Sequence, residues 1–186
     1  MREHAQAVVI GGGVIGCSIL YHLTRSGWND VVLLERDELT SGSTWHAAAN
    51  IHGLHDNNNI SRIQHYTMNL YKELEAITGQ GCGVFQPGSL YLAQTREREH
   101  QLRLQAAKAR YYKLEFNEIS RDEAERLHPL VNFDGIRCIM WEPEGGNVDP
   151  SGVTAAYASG ARQNGAQIHR FTPVTGTEQQ ADGSWI

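Results

Sequence analysis

The sequence has few cysteines and no long uninterrupted apolar run. Its three cysteines, Cys17, Cys82 and Cys138, are widely spaced and contain no CxxC pair. Such spacing supports neither a zinc knuckle nor a disulfide framework, so we expect a reducing, cytoplasmic location. The apolar stretch 5–20 is interrupted by glycines and is too short to span a bilayer. It also has no small-residue cleavage site, so we expect neither a signal peptide nor a membrane segment.

The sequence also has no excess of positive charge. Its 186 residues carry 16 Lys+Arg against 21 Asp+Glu, for a formal net charge of −5. An acidic chain is a poor partner for nucleic acid or anionic membranes, whose phosphates need a basic patch. A hydrophobic fraction of 40% and a charged fraction of 20% are typical of a globular protein, which excludes disordered and fibrous classes. We therefore expect a small molecule as the partner, and composition does not indicate the oligomeric state.

A strand, a glycine-rich turn and a helix open the chain. The apolar run 5–11 predicts a strand, the spacing over 13–27 predicts a helix, and 31–35 predicts a second buried strand. Between the first strand and the helix stands Gly11-Gly12-Gly13-Val14-Ile15-Gly16, a GxGxxG motif. In such a motif Gly11 allows the turn, Gly13 lets a pyrophosphate approach the helix N-terminus, and Gly16 allows close packing.

An acidic residue ends the second predicted strand, as a dinucleotide-binding βαβ unit requires. Glu35 follows Gly16 by 19 residues and is placed to accept hydrogen bonds from a ribose diol. Its charge would repel a 2′-phosphate, so NAD and FAD remain candidates and NADP is disfavoured. Arg36 either covers the adenosine or is simply solvated.

The later segments predict a second unit and a return to the first. Helices are predicted over 59–79, 95–112, 120–127 and 150–164, and strands over 89–93, 115–119, 136–141, 166–174 and 175–180. Thr95, Ser120 and Asp149 are the predicted N-caps of the last three helices. The first helix carries one apolar stripe, which we expect to be its buried face: Ile60, Ile63, Tyr66, Leu70, Leu74 and Ile77. The predicted fold class is α/β: a Rossmann-type parallel sheet with a partial antiparallel α+β insertion. We expect a dinucleotide-binding part over 1–80, a substrate-side part over 81–145, and a return over 146–186. The last predicted hairpin stops at Ile186, so we expect a fragment of a longer chain with exposed strand edges.

A loop rich in hydroxyl side chains follows the second strand. Its Ser43 and Thr44 are suited either to contacting a phosphate or to capping a short helix near residues 45–49. His46 in this loop either takes part in the chemistry or is an ordinary surface or packed imidazole. Because His52 and His55 are close to it in sequence, a metal site is a further alternative. We expect no metal, because the glycine turn favours a loop that faces an organic cofactor.

The loop sequence Thr40-Ser41-Gly42-Ser43-Thr44-Trp45-His46-Ala47-Ala48 resembles the signature of the dimethylglycine/sarcosine dehydrogenase family of D-amino-acid-oxidase-like flavoproteins. The resemblance implies FAD carried covalently by His46 through the flavin 8α-methyl. It further implies roles for other residues of this loop and for three further segments. The flavin would contact Gly42, Ser43, Thr44, Trp45, Ala47 and Ala48; the pyrophosphate Val14 and Ile15; the adenosine Glu35 and Arg36; and the adenine the backbone of Val174.

The resemblance implies oxidation of the C–N bond of an N-methylated glycine-like amine by hydride transfer to the flavin. Tetrahydrofolate would trap the product in a C-terminal module beyond this sequence, and family members do their chemistry with residues beyond Ile186, so no catalytic residue is assigned. The family usually has Gly where this chain has Ala49, which puts the loop geometry in question. The alternatives are a noncovalent FAD amine oxidase, a non-catalytic dinucleotide-binding fragment and an NAD-linked dehydrogenase.

Overall fold

The computed structural model describes residues 4–186 and divides the chain into two compact units. The first unit comprises Met1–Ala48, of which residues 4–48 are described, together with Lys72–Gly83 and Asp149–Ile186. The second comprises Ala49–Tyr71 and Val84–Val148. These bounds differ from the expected 1–80, 81–145 and 146–186 chiefly in residues 49–71, which belong to the second unit.

The first unit contains a three-stranded parallel sheet. Its strands are β1 (Ala7–Ile10), β2 (Val31–Leu34) and β8 (Gln167–His169), in the order β1-β2-β8. Helix α1 (Val14–Arg25) connects β1 to β2. The predicted parallel βαβ unit is therefore confirmed, and Val31, Val32 and Leu33 are buried, as expected for a strand covered on both faces.

Helix α5 (Pro150–Gln163) packs against α1 within the first unit. Asp149 caps α5 by accepting a hydrogen bond from Ser151 N at 3.0 Å, with Pro150 as the first helical residue, as the sequence predicts. The contact is close because Gly160 lies against the Tyr21 ring of α1. Tyr21 and Tyr157 are both buried, and their ring centroids are 5.4 Å apart. Small residues on α5 thus bring two helices together around two large aromatic side chains.

The second unit is built on an antiparallel sheet, also as predicted. Its strands are β4 (Ser89–Ala93), β5 (Asn117–Glu118) and β6 (Cys138–Glu142), in the order β4-β6-β5. Helices α3 (Arg96–Tyr112) and α4 (Arg121–Leu127) belong to the same unit, and Thr95 and Ser120 cap them as predicted. Two-residue strands β3 (Asn50–Ile51) and β7 (Gly146–Asn147) pair as well, and their shortness explains why no sequence period indicated them.

The predicted strand over 166–174 is wrong beyond its first half. Strand β8 ends at His169, and Phe171 has a positive φ of 54°, which breaks the extended backbone. Pro173 follows and has no N–H for a ladder. Val174 is therefore not on a strand, and it is 37% exposed. The strand expected over 175–180 is reduced to a single antiparallel bridge between Gln179 and Trp185.

Helix α2 (Asn58–Thr78) keeps its predicted length but not its predicted burial. Leu70 and Leu74 are buried, whereas Ile60, Ile63 and Tyr66 on the same stripe are exposed. Periodicity marks a helix face but does not say which part of it is covered. Cys17 and Cys82 are both buried, although the glycines on either side of Cys82 are compatible with an exposed thiol. No helix found in residues 4–186 has both the length and the apolar character to cross a membrane.

The close approach of α5 to α1 predicts the effect of Gly160→Ala. A Cβ at Gly160 would lie 2.6 Å from Tyr21 Cε2 and 3.1 Å from Thr78 Cγ2. We expect this overpacking to cost about 1–3 kcal/mol, and the better helix propensity of Ala to offset about 1 kcal/mol of it. Urea unfolding should therefore show a lower free energy of unfolding for Gly160→Ala, and no such loss for Ser159→Ala on the same helix. Equal stability of the two variants would contradict the packing described.

Candidate cofactor site

The glycine turn has the backbone geometry that its sequence predicts. Gly11 follows β1 with a φ of 105°, a region that favours glycine, and its N–H donates to Leu34 O at 2.8 Å. A Cβ at Gly16 would lie 1.9 Å from the carbonyl oxygen of Gly11. The turn and the close packing of α1 on β1 therefore require glycine at both positions.

A buried carboxylate fixes the turn from the end of β2. Glu35 is 8% exposed, and its Oε2 accepts a hydrogen bond from Gly12 N at 2.5 Å. Its Oε1 accepts another from Asp37 N at 2.9 Å. Each carboxylate oxygen keeps a further lone pair, so Glu35 still has acceptor capacity for a ribose diol. The sequence motif gave no sign of the bond to Gly12.

Thr44 caps helix α1 from the loop. The cap residue Gly13 has no side chain to do so, and Thr44 Oγ1 accepts a hydrogen bond from Val14 N at 3.0 Å. A Cβ at Gly13 would lie 3.0 Å from the same hydroxyl. The hydroxyl thus occupies the helix N-terminus, where phosphate oxygens are commonly bound, and it caps α1 rather than the short helix that the sequence suggested.

The loop between β2 and the Trp-His pair is strained. Thr40 has a φ of 71°, which is unusual for a β-branched residue. Its N–H donates to Gly12 O at 3.1 Å, and its carbonyl accepts from Trp45 N at 3.4 Å. The strained residue therefore links the glycine turn to the 3-10 turn Thr44–His46, which is the helical turn predicted near residues 45–49, displaced toward the N-terminus.

His46 is held in one tautomer when its ring is neutral. Its Nδ1 lies 3.0 Å from the carbonyl oxygen of Gly42, which can only accept, so Nδ1 carries the proton. The Nε2 atom then keeps its lone pair. The ring centroid of Trp45 is 4.0 Å from that of His46, and both side chains are exposed. The loop thus presents a nucleophilic nitrogen at the surface of the first unit.

These elements surround a cavity of about 360 Å³ in the first unit. Most of the predicted site residues line it: Gly11, Gly13, Val14, Ile15, Gly16, Glu35, Arg36, Gly42, Ser43 and Thr44. Trp45, His46, Ala47, Ala48 and Val174 are not among the lining residues. The prediction missed others that do line it: Val9, Ile10, Ile19, Thr40 and Ser41. Ile19 follows Ile15 by one helical turn, a spacing that could have identified it.

Neither thiol nor metal chemistry is apparent near the turn. Burial raises the pKa of the Cys17 thiol to about 12, so it stays protonated at neutral pH and acts as a small apolar side chain. Within residues 4–186, no three His, Cys, Asp or Glu side chains are grouped so as to hold a metal ion.

The family model described as FAD dependent oxidoreductase (DAO) matches residues 6–186. The chain belongs to the FAD-dependent oxidoreductase family. Rat mitochondrial dimethylglycine dehydrogenase is 40% identical over 184 residues, which cover 99% of this chain and 22% of that protein. Human mitochondrial sarcosine dehydrogenase is 36% identical over 179 residues, which cover 96% of this chain and 20% of that protein. The chain thus spans about a fifth of the length of these curated relatives.

A solved structure agrees with this family assignment. The L-proline dehydrogenase of P. horikoshii superimposes with a TM-score of 0.89 and 25% sequence identity, covering 98% of this chain and 48% of that chain. The α/β fold expected from the sequence is therefore confirmed as that of FAD-dependent oxidoreductases. The glycine motif predicted a dinucleotide cofactor, and the matching family is FAD-dependent, which confirms that prediction for the family.

The Glu35–Gly12 bond predicts that Glu35→Ala destabilises the free protein. Removing a buried acceptor leaves Gly12 N unpaired and should lower the free energy of unfolding by about 1–3 kcal/mol. Glu38→Ala is the matched control, because Glu38 forms an exposed ion pair with Arg170 and such pairs contribute about 0–1 kcal/mol. Both are measured by urea unfolding without added cofactor. An equal, small effect of the two variants would show that the carboxylate does not support the turn.

Ala49 has a positive φ of 54°, in the left-handed region that favours glycine. The left-handed conformation costs a non-glycine residue about 1–2 kcal/mol, partly offset by the unfolded-state entropy of glycine. Ala49→Gly should therefore raise the free energy of unfolding by about 0.5–1 kcal/mol. Ala47 has an ordinary φ of −72°, so Ala47→Gly should lower it. Denaturant unfolding that gave both variants the same sign would refute the strain.

Proposed function

We propose that this chain forms the FAD-binding part of an enzyme that oxidises the C–N bond of an N-methylated glycine-like amine. The observation that carries the proposal is that the glycine turn, Glu35 and the loop residues 40–44 line one cavity, with His46 next along the same loop. The similarity to dimethylglycine and sarcosine dehydrogenases supports the substrate class.

The residues of the first unit fit the cofactor. The N-terminus of α1, with the Thr44 hydroxyl already bonded to Val14 N, would hold the pyrophosphate. Glu35 would accept hydrogen bonds from the ribose diol with its remaining lone pairs, while its bonds to Gly12 N and Asp37 N keep the carboxylate in place. Arg36, exposed beside Glu35, would contact the adenosine.

His46 is the residue that we assign to the covalent link. The bond of Nδ1 to Gly42 O leaves the Nε2 lone pair as the nucleophile. A bond from Nε2 to the flavin 8α carbon would replace one C–H bond of the methyl group. Forming this link would release one proton to solvent and would require an external two-electron acceptor such as dioxygen. A covalent link retains the cofactor permanently.

Bound FAD supplies the acceptor for a hydride that leaves an N-methyl carbon of the amine. The amine is oxidised to an iminium, and addition of water then releases formaldehyde and the demethylated amine. Electrons pass on to an acceptor, which is dioxygen in an oxidase and an electron carrier in a dehydrogenase. Capture of the one-carbon unit by tetrahydrofolate and a cytoplasmic location stay predictions from the sequence.

The covalent assignment predicts the behaviour of His46→Ala in the natural protein. Acid precipitation should leave yellow, fluorescent flavin on the wild-type pellet and release it from the variant, because the glycine turn and Glu35 still bind FAD noncovalently. His128→Ala, an exposed histidine of the second unit, is the control and should keep its flavin on the pellet.

The same assay separates the alternatives. Flavin that stays bound to His46→Ala after precipitation would overturn the link, whereas flavin released from the wild type would indicate a noncovalent amine oxidase. Absence of flavin together with NAD binding would refute the proposed cofactor altogether.

A further inference from the structure

We propose that Phe171 is a further cofactor-binding residue of the first unit and that its ring stacks on the adenine of FAD. The proposal rests on the proposed function, which places FAD in this unit. Phe171 follows strand β8, and its side chain is 63% exposed. It lies outside the set of residues that line the glycine-turn cavity, so the cofactor site would extend beyond that cavity.

Phe171 lies in a bulge beside Glu35. Strands β2 and β8 pair Leu34 with His169, and Glu35 N donates to His169 O at 2.9 Å. A regular parallel ladder would next bring the N–H of Phe171 to Glu35 O. Instead, Thr172 N donates to Glu35 O at 2.8 Å, so one extra residue is accommodated outside the ladder. Bulges of this kind redirect a side chain and are frequent beside active sites.

The bulge holds Phe171 in a strained conformation. Its φ of 54° is in the left-handed region, which is unusual for a bulky residue. A single exposed aromatic ring needs no explanation by itself, but a left-handed backbone costs free energy that a solvated ring does not repay. Strained residues of this kind concentrate at ligand sites. The strain therefore indicates that the Phe171 ring receives a ligand.

A cation in a fixed position covers part of the Phe171 ring. Arg170 Cζ lies over the ring at 5.7 Å from its centroid, and Arg170 Nη1 donates to the Glu38 carboxylate. The ion pair holds the guanidinium, which is attracted to the face of an aromatic ring. The exposed remainder of the ring can receive a flat ligand, because the side chain is already supported from behind.

The adenine of the cofactor is the flat group that this position would meet. Parallel sheets bind ligands beyond the carboxyl ends of their strands, and β2 and β8 end side by side here. The proposed function places the ribose diol on Glu35, which follows β2, and the adenine is attached to that ribose. Phe171 also reaches the segment after Glu35, because its N–H donates to Asp37 O at 3.5 Å. Every nucleic acid base has a π face on which an aromatic side chain can stack.

The test measures nucleotide binding to the natural protein carrying His46→Ala, from which the flavin can be removed. ADP contains adenine, ribose and pyrophosphate, whereas FMN contains the flavin ring and no adenine. In isothermal titration, Phe171→Ala should weaken ADP binding about tenfold, which is within the range for base–aromatic stacking, and leave FMN binding unchanged. Unchanged ADP affinity would overturn the proposal. Equal losses for both probes would overturn it too, because they would show a purely structural role.

Further variants separate stacking from general apolar contact. Phe171→Trp should bind ADP at least as tightly as the parent, and ADP should quench its indole emission. Phe171→Leu, which is apolar but not aromatic, should lose most of the affinity that Phe171→Ala loses. Phe85→Ala is the matched control, because Phe85 is 62% exposed in the second unit, and it should leave ADP affinity unchanged. Full ADP affinity in Phe171→Leu would contradict aromatic stacking.

The outcomes for Phe171 and for the proposed function are separable. A flavin-free protein that binds neither ADP nor FAD would refute the FAD assignment and the adenine contact with it. ADP binding that Phe171→Ala leaves unchanged, together with flavin reduction by dimethylglycine in the natural protein, would refute the contact and keep the proposed function. ADP binding that depends on Phe171, without flavin reduction by an N-methylated glycine, would keep the contact and refute the proposed reaction.

Discussion

The buried Glu35 carboxylate is the interaction on which the cofactor site depends. It joins the end of β2 to the glycine turn by accepting the N–H of Gly12, and the same turn fixes the start of α1. A carboxylate that is 8% exposed is stable only when hydrogen bonded, so its position and that of the turn are determined together. The hydrogen bond between Glu35 and Gly12 therefore fixes the position of the glycine turn relative to the end of β2, where the cofactor contacts are proposed.

The loop that follows β2 is held by hydrogen bonds to the glycine turn and to the start of α1, and it includes one strained residue. Thr40 adopts a positive φ while it bonds to Gly12 O, and Thr44 reaches back to the first N–H of α1. Strained residues of this kind persist only where surrounding bonds determine them, and they concentrate at functional sites. The loop thereby fixes where Trp45 and His46 are presented, although neither side chain lines the cavity.

Short-range patterns predicted most of this architecture. The GxGxxG motif, the caps at Thr95, Ser120 and Asp149, and the buried run of β2 all depend on neighbouring residues, and all were confirmed. The errors arose where distant residues decide the outcome. The stripe of α2 is only partly covered, and the pairing of β3 with β7 joins residues almost a hundred positions apart. The early end of the strand over 166–174 is a local exception, because Phe171 adopts a positive φ and Pro173 has no N–H.

The sequence by itself therefore determined the βαβ unit and the FAD-dependent family, and it predicted the residues of the candidate cofactor loop, because glycine, carboxylate and hydroxyl groups at fixed spacing express local backbone requirements. Only the tertiary structure decided that Glu35 holds Gly12, that Thr44 caps α1, and that Tyr91 donates a hydrogen bond to the buried Glu142. Those contacts join residues far apart in the chain. Their geometry follows from packing, which no local pattern records.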